Sequence, residues 1–178
     1  MGTNLSFALA LAVLVASAQD KPAPSQKEIS AELDRLERED QVDQNDNNLP
    51  EAEFSRRQRV RRDRAMEIVQ AGLLSTPADF NNAAWLFQHG YEIDDYLLSH
   101  VLATAAGFDG SISHARFLSA AALDRFLHHL EQPQRFGTQF GASGEPVEPY
   151  EPSVGRSLWT IFNVEPRKGS QAGAAPAA

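Results

Sequence analysis

The chain has no cysteine in its 178 residues. That excludes disulfides, a thiolate nucleophile, a zinc–thiolate site and a cysteine-linked lipid anchor. Long hydrophobic runs are missing too. The apolar stretch from Leu5 to Ala16 covers twelve residues, whereas a membrane-spanning helix needs roughly 20. Positive charge is scarce: 16 Lys and Arg face 24 Asp and Glu, a net charge of −8. Residues 1–18 carry no charged side chain. The negative excess therefore belongs to the rest of the chain and argues against a nucleic-acid partner.

Ala16-Ser17-Ala18 follows the apolar stretch and has the small-residue pattern of a signal-peptide cleavage site. Residues 1–18 read as a signal peptide, although Met1 to Asn4 lacks the usual Lys or Arg. The expectation is an exported protein, periplasmic or secreted, with no stable membrane span after cleavage. Without disulfides, it must fold by burial alone.

Ser25-Gln26-Lys27-Glu28 is a capping-box pattern. Ile29, Leu33 and Leu36 follow at helical spacing, which predicts a helix over about 26–39. Its apolar stripe is thin, so the expectation is loose docking. Asp40 to Asn48 reads as a solvated acidic linker. Asp43, Asn45 and Asn47 have the alternate spacing of a calcium loop, but Asn48 stands where glycine is needed and Phe54 where glutamate is. Pro50, Glu51 and Glu53 open a second helix, running to about Ala71. It carries six arginines between Arg56 and Arg64. Residues 19–53 hold eleven acidic side chains against four basic ones. The arginines therefore read as internal partners of that acidic arm rather than as an anion site.

The segment Thr76 to Phe140 is expected to hold the core. Thr76-Pro77-Ala78-Asp79 starts one helix, and Gly90 ends it. A helix over about 92–106 is apolar on most sides and reads as the buried one. A third, over about 112–131, stops at Pro133. Short connections predict antiparallel neighbours. Ser157 to Val164 is a short β-prone run, and 165–178 reads as disordered. The fold class expected is all-α: a compact antiparallel helical domain with disordered or extended N- and C-terminal arms. The divisions are 1–18 signal peptide, 19–49 N-terminal helix and acidic linker, 50–140 helical domain, and 141–178 Pro/Gly-rich extended tail.

Polar residues that interrupt these helices are the candidates for chemistry. His89, His100, Asp124 and His128 form the catalytic set. Asp124 and His128 are one helical turn apart, the spacing at which an Asp can orient a His as general base. Gln88, Arg125, Gln134, Arg135, Thr138 and Gln139 are the candidate binding residues. The competing expectation is structural, because buried polar groups must be hydrogen-bonded anyway. Three His and one Asp at unrelated spacings are no metal signature, and no motif calls for a cofactor.

Trp85-Leu86-Phe87-Gln88-His89, the Asp124-Arg125 pair and Pro133-Gln134-Arg135-Phe136-Gly137-Thr138-Gln139 together resemble an uncharacterised, mainly bacterial domain-of-unknown-function family. That family has a Gln-His helix, an Asp-Arg helix and a PQ(Y/F)GTQ ending. Phe136 stands where it usually has Tyr. The resemblance covers roughly residues 50–140 and implies an α-helical domain without implying a reaction. Two functions remain. One is a non-enzymatic module that binds a protein partner through the 78–131 surface and the 157–164 segment. The other is a hydrolase-like enzyme using the His/Asp set.

Overall fold

The computed structural model describes residues 23–141, 144–150 and 155–164. The signal-peptide reading and the disordered reading of 165–178 fall outside them. The described residues are all-α, with six helices and no strand. They are α1 (Gln26–Gln44), α2 (Glu51–Gln70), α3 (Pro77–Gln88), α4 (Ile93–Ala106), α5 (Ala115–His129) and α6 (Gly155–Ile161). None of them is long and apolar enough to cross a membrane.

The local start signals act as read. Ser25 caps α1 in a reciprocal box with Glu28, and Thr76 caps α3 with Asp79. Gly72, at φ +66°, follows the end of α2 in the left-handed conformation that glycine adopts without strain.

Cross-helix contacts fix the directions. Asp43 on α1 meets Arg57 and Arg61 on α2, and Glu32 meets Arg64, so these two helices run antiparallel. Gln26 meets Asp79 and Asp40 meets His89, so α1 runs parallel to α3. Ser99 of α4 donates to the Ala84 carbonyl of α3, while His100 and Thr104 of α4 meet Ser119 of α5. Arg116 of α5 reaches the Gly107 carbonyl after α4, and Arg125 lies over Tyr96 near the start of α4. Tyr96 bonds the Gly90 carbonyl, so α1 to α5 alternate in direction along the chain.

The centre is α3, which contacts α1, α2, α4 and α5. Ala83, Ala84, Leu86 and Phe87 are all fully buried. This corrects the expectation that 92–106 is the enclosed helix. Leu97 and Val101 of α4 are exposed, and its buried face is Tyr96, Ser99, Leu102, Ala103 and Ala106.

The first helix is neither short nor loosely docked. Ile29, Leu33 and Leu36 sit in one core with Ala65, Ile68, Leu86 and Phe87. Each of the Ile, Leu and Phe side chains contributes about 1.5–3 kcal/mol of burial free energy. The helix continues through Asp40 and Asp43, which were expected in a solvated linker and are buried instead. The reason is phase. Positions 29, 33, 36, 40 and 43 lie on one helical face, so whatever faces α3 at Leu36 faces inward at Asp40. On α2 the matching face is Gln58, Arg61, Ala65 and Ile68. The α1–α2 seam is therefore apolar at one end and ionic at the other.

The run Ser157 to Val164, read as β-prone, is also corrected. Gly155–Ile161 is a helix, and Trp159 and Val164 are buried against Ala120 and Phe136. Docking an indole into a ready hydrophobic site outweighs the weak strand preference of the segment.

Candidate functional site

The sequence motifs meet at the C-terminal end of α3. There the last carbonyls of the helix have no partner within it and carry its negative pole. Donors from three other elements satisfy them. Arg125 Nη1 of α5 donates to the Gln88 carbonyl, Arg62 of α2 to the His89 carbonyl at 3.5 Å, and the Tyr96 hydroxyl to the Gly90 carbonyl at 2.7 Å. Arg125 also lies over the Tyr96 ring, 5.7 Å from its centroid. Burial pulls the Arg125 pKa below its ordinary value, against the opposing field of Tyr96, and burial pushes the Tyr96 phenol up. Gly90 is required by close approach. A Cβ there would lie 2.2 Å from Asp95 Oδ2, which accepts from the backbone N–H groups of Tyr91 and Glu92.

The 133–140 loop is clasped onto α5 by Asp124. That carboxylate is fully buried. It accepts from the backbone N–H groups of Arg135 (2.7 Å), Phe136 (3.0 Å) and Thr138 (2.9 Å), and from the Thr138 hydroxyl (2.8 Å). A carboxylate has about four lone-pair sites, and four donors fill them. Gln134, also fully buried, reaches the Gln139 and Val147 carbonyls and accepts from the Gln139 N–H. Gln139 in turn accepts from Arg125 Nε at 2.9 Å and donates to the Ala121 carbonyl. The Gln-His helix, the Asp-Arg helix and the GTQ turn are thus brought together through Arg125, but as a hydrogen-bonded joint rather than a cleft.

The four candidate catalytic residues do not converge. His100 Nδ1 bonds the Ser119 carbonyl at 2.9 Å, holding α4 on α5. Asp124 faces the loop. His128, one turn on, makes no hydrogen bond to Asp124; its Nδ1 is buried without a partner among the described residues. His89 turns the other way, with Nδ1 2.5 Å from Asp40 Oδ2.

The His89–Asp40 pair belongs to a buried polar layer that sequence reading missed. Arg61, on the facing helix, forms an ion pair with Asp43, and its Nη1 lies 3.9 Å from Asp40 Oδ1. Arg57 reaches Asp43 at 3.1 Å. Glu37, beside this layer, is pushed above the usual carboxylate range, chiefly by burial and then by the Asp40 charge. Asp40 Oδ1, Arg61 Nη1 and both amide atoms of Gln58 have no hydrogen-bond partner among the described residues. The signal was available: 40 and 43 continue the spacing of 29, 33 and 36. Among the described residues, no group of acids and histidines is arranged to hold a metal ion.

The ionic end of the seam opens into a groove of about 800 Å³ between α1 and α2. Six arginines and two carboxylates line it, with Leu36, Val42 and Val60. Val42 and Val60 are 68% and 55% exposed, so the apolar part of the groove faces solvent.

Compared with known proteins, the chain matches no family model, no curated protein and no solved structure.

Proposed function

We propose that this protein is an exported, non-enzymatic interaction module that binds a protein partner. The observation that carries the reading is the use made of the polar residues. Asp124, Gln134, Gln139 and His100 spend their hydrogen bonds on joining elements of the fold, and Asp124 has no acceptor site left for a substrate proton. The α1–α2 groove, by contrast, leaves valines and guanidinium groups open to solvent. Export is supported by the Leu5–Ala16 stretch before Ala16-Ser17-Ala18.

One observation favours the hydrolase-like alternative. His89 Nδ1 is held by a buried carboxylate at 2.5 Å, which is the arrangement that orients a general base. The two readings separate in one assay of purified protein with ester, amide and phosphoester probes. A binding module leaves all three at the background rate. Turnover that disappears in His89→Gln, with an unchanged circular dichroism spectrum, would establish the enzyme instead.

A further inference from the structure

We propose that the groove between α1 and α2 docks a segment of a partner protein that carries carboxylate side chains between apolar ones. The inference rests on the binding-module reading and names the class of partner. Two features of the groove set that class.

The first is charge. A chain with a net charge of −8 presents here a surface lined by six arginines and two carboxylates. The arginines at the rim are engaged in ways that leave donors over. Arg35 pairs with Glu39, Arg38 with Asp34 and Arg56 with Glu53, all across one turn of their own helix and all with side chains more than half exposed on the arginine side. Each guanidinium has five N–H donors, and exposed pairs of this kind are weak and exchangeable. A carboxylate arriving from outside can therefore take a fork of N–H groups without breaking anything buried.

The second feature is the apolar strip. Val42 of α1 and Val60 of α2 both line the groove and remain open to water. A ligand that offered only charge would leave them wet. Apolar side chains flanking the carboxylate would cover them. Deeper in, Arg61 is 6% exposed and pairs with Asp43, and its Nη1 is buried facing Asp40 Oδ1 at 3.9 Å, so the rim arginines and not Arg61 would receive the ligand. Arginine is suited to this role because its planar fork binds a carboxylate in two parallel hydrogen bonds.

The test uses the full chain and fluorescence anisotropy of labelled peptides. The probe is a helical peptide with leucines on one face and glutamates flanking them. The controls are the same peptide with lysines for glutamates, the same peptide with serines for leucines, and a free long-chain fatty acid as competitor. Saturable binding of the glutamate peptide is expected, at least about 10-fold tighter than either control and weakened by added salt. Arg38→Glu combined with Arg56→Glu should weaken it at least about 10-fold, and Val60→Glu should do the same. All three positions are exposed, so circular dichroism should show each variant folded.

Equal or tighter binding of the lysine peptide, or an affinity unmoved by the double charge reversal, would overturn the acidic partner. If Val60→Glu still reduced binding of that other peptide, the groove would remain a protein-binding site and the module reading would survive. Displacement of the glutamate peptide by the fatty acid at equal affinity would overturn the choice of a protein partner. Absence of saturable binding by every peptide would overturn the proposal outright, and the probe hydrolysis assay would then decide the module reading separately.

Discussion

Nδ1 of His89, at the end of α3, lies 2.5 Å from Oδ2 of Asp40, a fully buried carboxylate 49 residues earlier on α1. This contact joins the two parallel helices at the polar end of their seam, where Arg61 and Asp43 of α2 and α1 complete the layer. Removing one member of a buried hydrogen-bonded pair leaves the other without its partner. Asp40→Ala should destabilise the protein by about 2–3 kcal/mol in urea unfolding. A double-mutant cycle with His89→Gln should return a coupling of about 1 kcal/mol or more. A cycle that closes at zero would mean the contact does not hold the helices together.

Asp124 should act as the anchor of the 133–140 loop. Hydrogen bonds to a charged acceptor are worth about 1.5–3 kcal/mol each, and Asp124 receives three from backbone N–H groups and one from a hydroxyl. Asp124→Asn should therefore cost about 3 kcal/mol or more, and the amides of Arg135, Phe136 and Thr138 should exchange about 100-fold faster. The helical circular dichroism signal should persist, because the loop and not the bundle is released.

Gly137 sits inside that loop at φ +66°, and a Cβ there would lie 2.9 Å from the Tyr150 ring. Gly137→Ala should destabilise by about 1–3 kcal/mol through the combined left-handed backbone and ring contact. Gly137→Ala in a Tyr150→Ala background should recover the steric part and keep the backbone part. Urea unfolding of the three variants checks this.

Two carboxylates should give stability opposite pH dependences. Burial, the largest influence on Asp79, raises its pKa, but hydrogen bonds from Ser30, Thr76 and Ser75 together outweigh it and hold the carboxyl below its ordinary value of 3.8. Asp79 therefore contributes stability that is full above its unfolded pKa and is lost as pH falls through the folded one. The stability gap between the wild type and Asp79→Asn should be open at neutral pH and close in acid. Glu37 is shifted up from 4.5, first by burial and then by Asp40. Its contribution is present below the unfolded pKa and is lost as pH rises through the folded one. Glu37→Gln should accordingly be more stable than the wild type at neutral pH, with the advantage shrinking in acid. Thermal melts over a pH series measure both.

What could be read from the chain was what is decided locally. The boxes Ser25–Glu28 and Thr76–Asp79 and the stops at Gly90 and Pro133 involve residues within a few positions of one another. The pairing of the arginines with the acidic arm was also readable, because composition alone set eleven acids beside six arginines; the structure joins Arg57 and Arg61 to Asp43 and Arg64 to Glu32. What escaped depends on distant partners. Asp40 and Asp43 look solvated until Arg61 and His89 are placed opposite them. Ser157 to Val164 looks extended until Trp159 has Ala120 and Phe136 to pack on. Leu97 and Val101 look buried because α4 is apolar all round, whereas α3 occupies the centre. Among the site residues, Arg125 joins the Gln88 carbonyl to Gln139, while Gln134 bonds Gln139 and Thr138 bonds Asp124. Their hydrogen bonds turn inward, which spacing cannot reveal.

The groove exists as a binding surface only if α1 is as firmly held as the helix it rests on. Native-state hydrogen exchange measures this directly, because each amide reports the opening that exposes it. The slowest amides of α1, around Leu33 and Leu36, should exchange at the same rate as the slowest in α3, near Leu86 and Phe87. Exchange through α1 that is faster by about 100-fold or more, while α3, α4 and α5 stay protected, would show α1 detaching alone and would contradict the account.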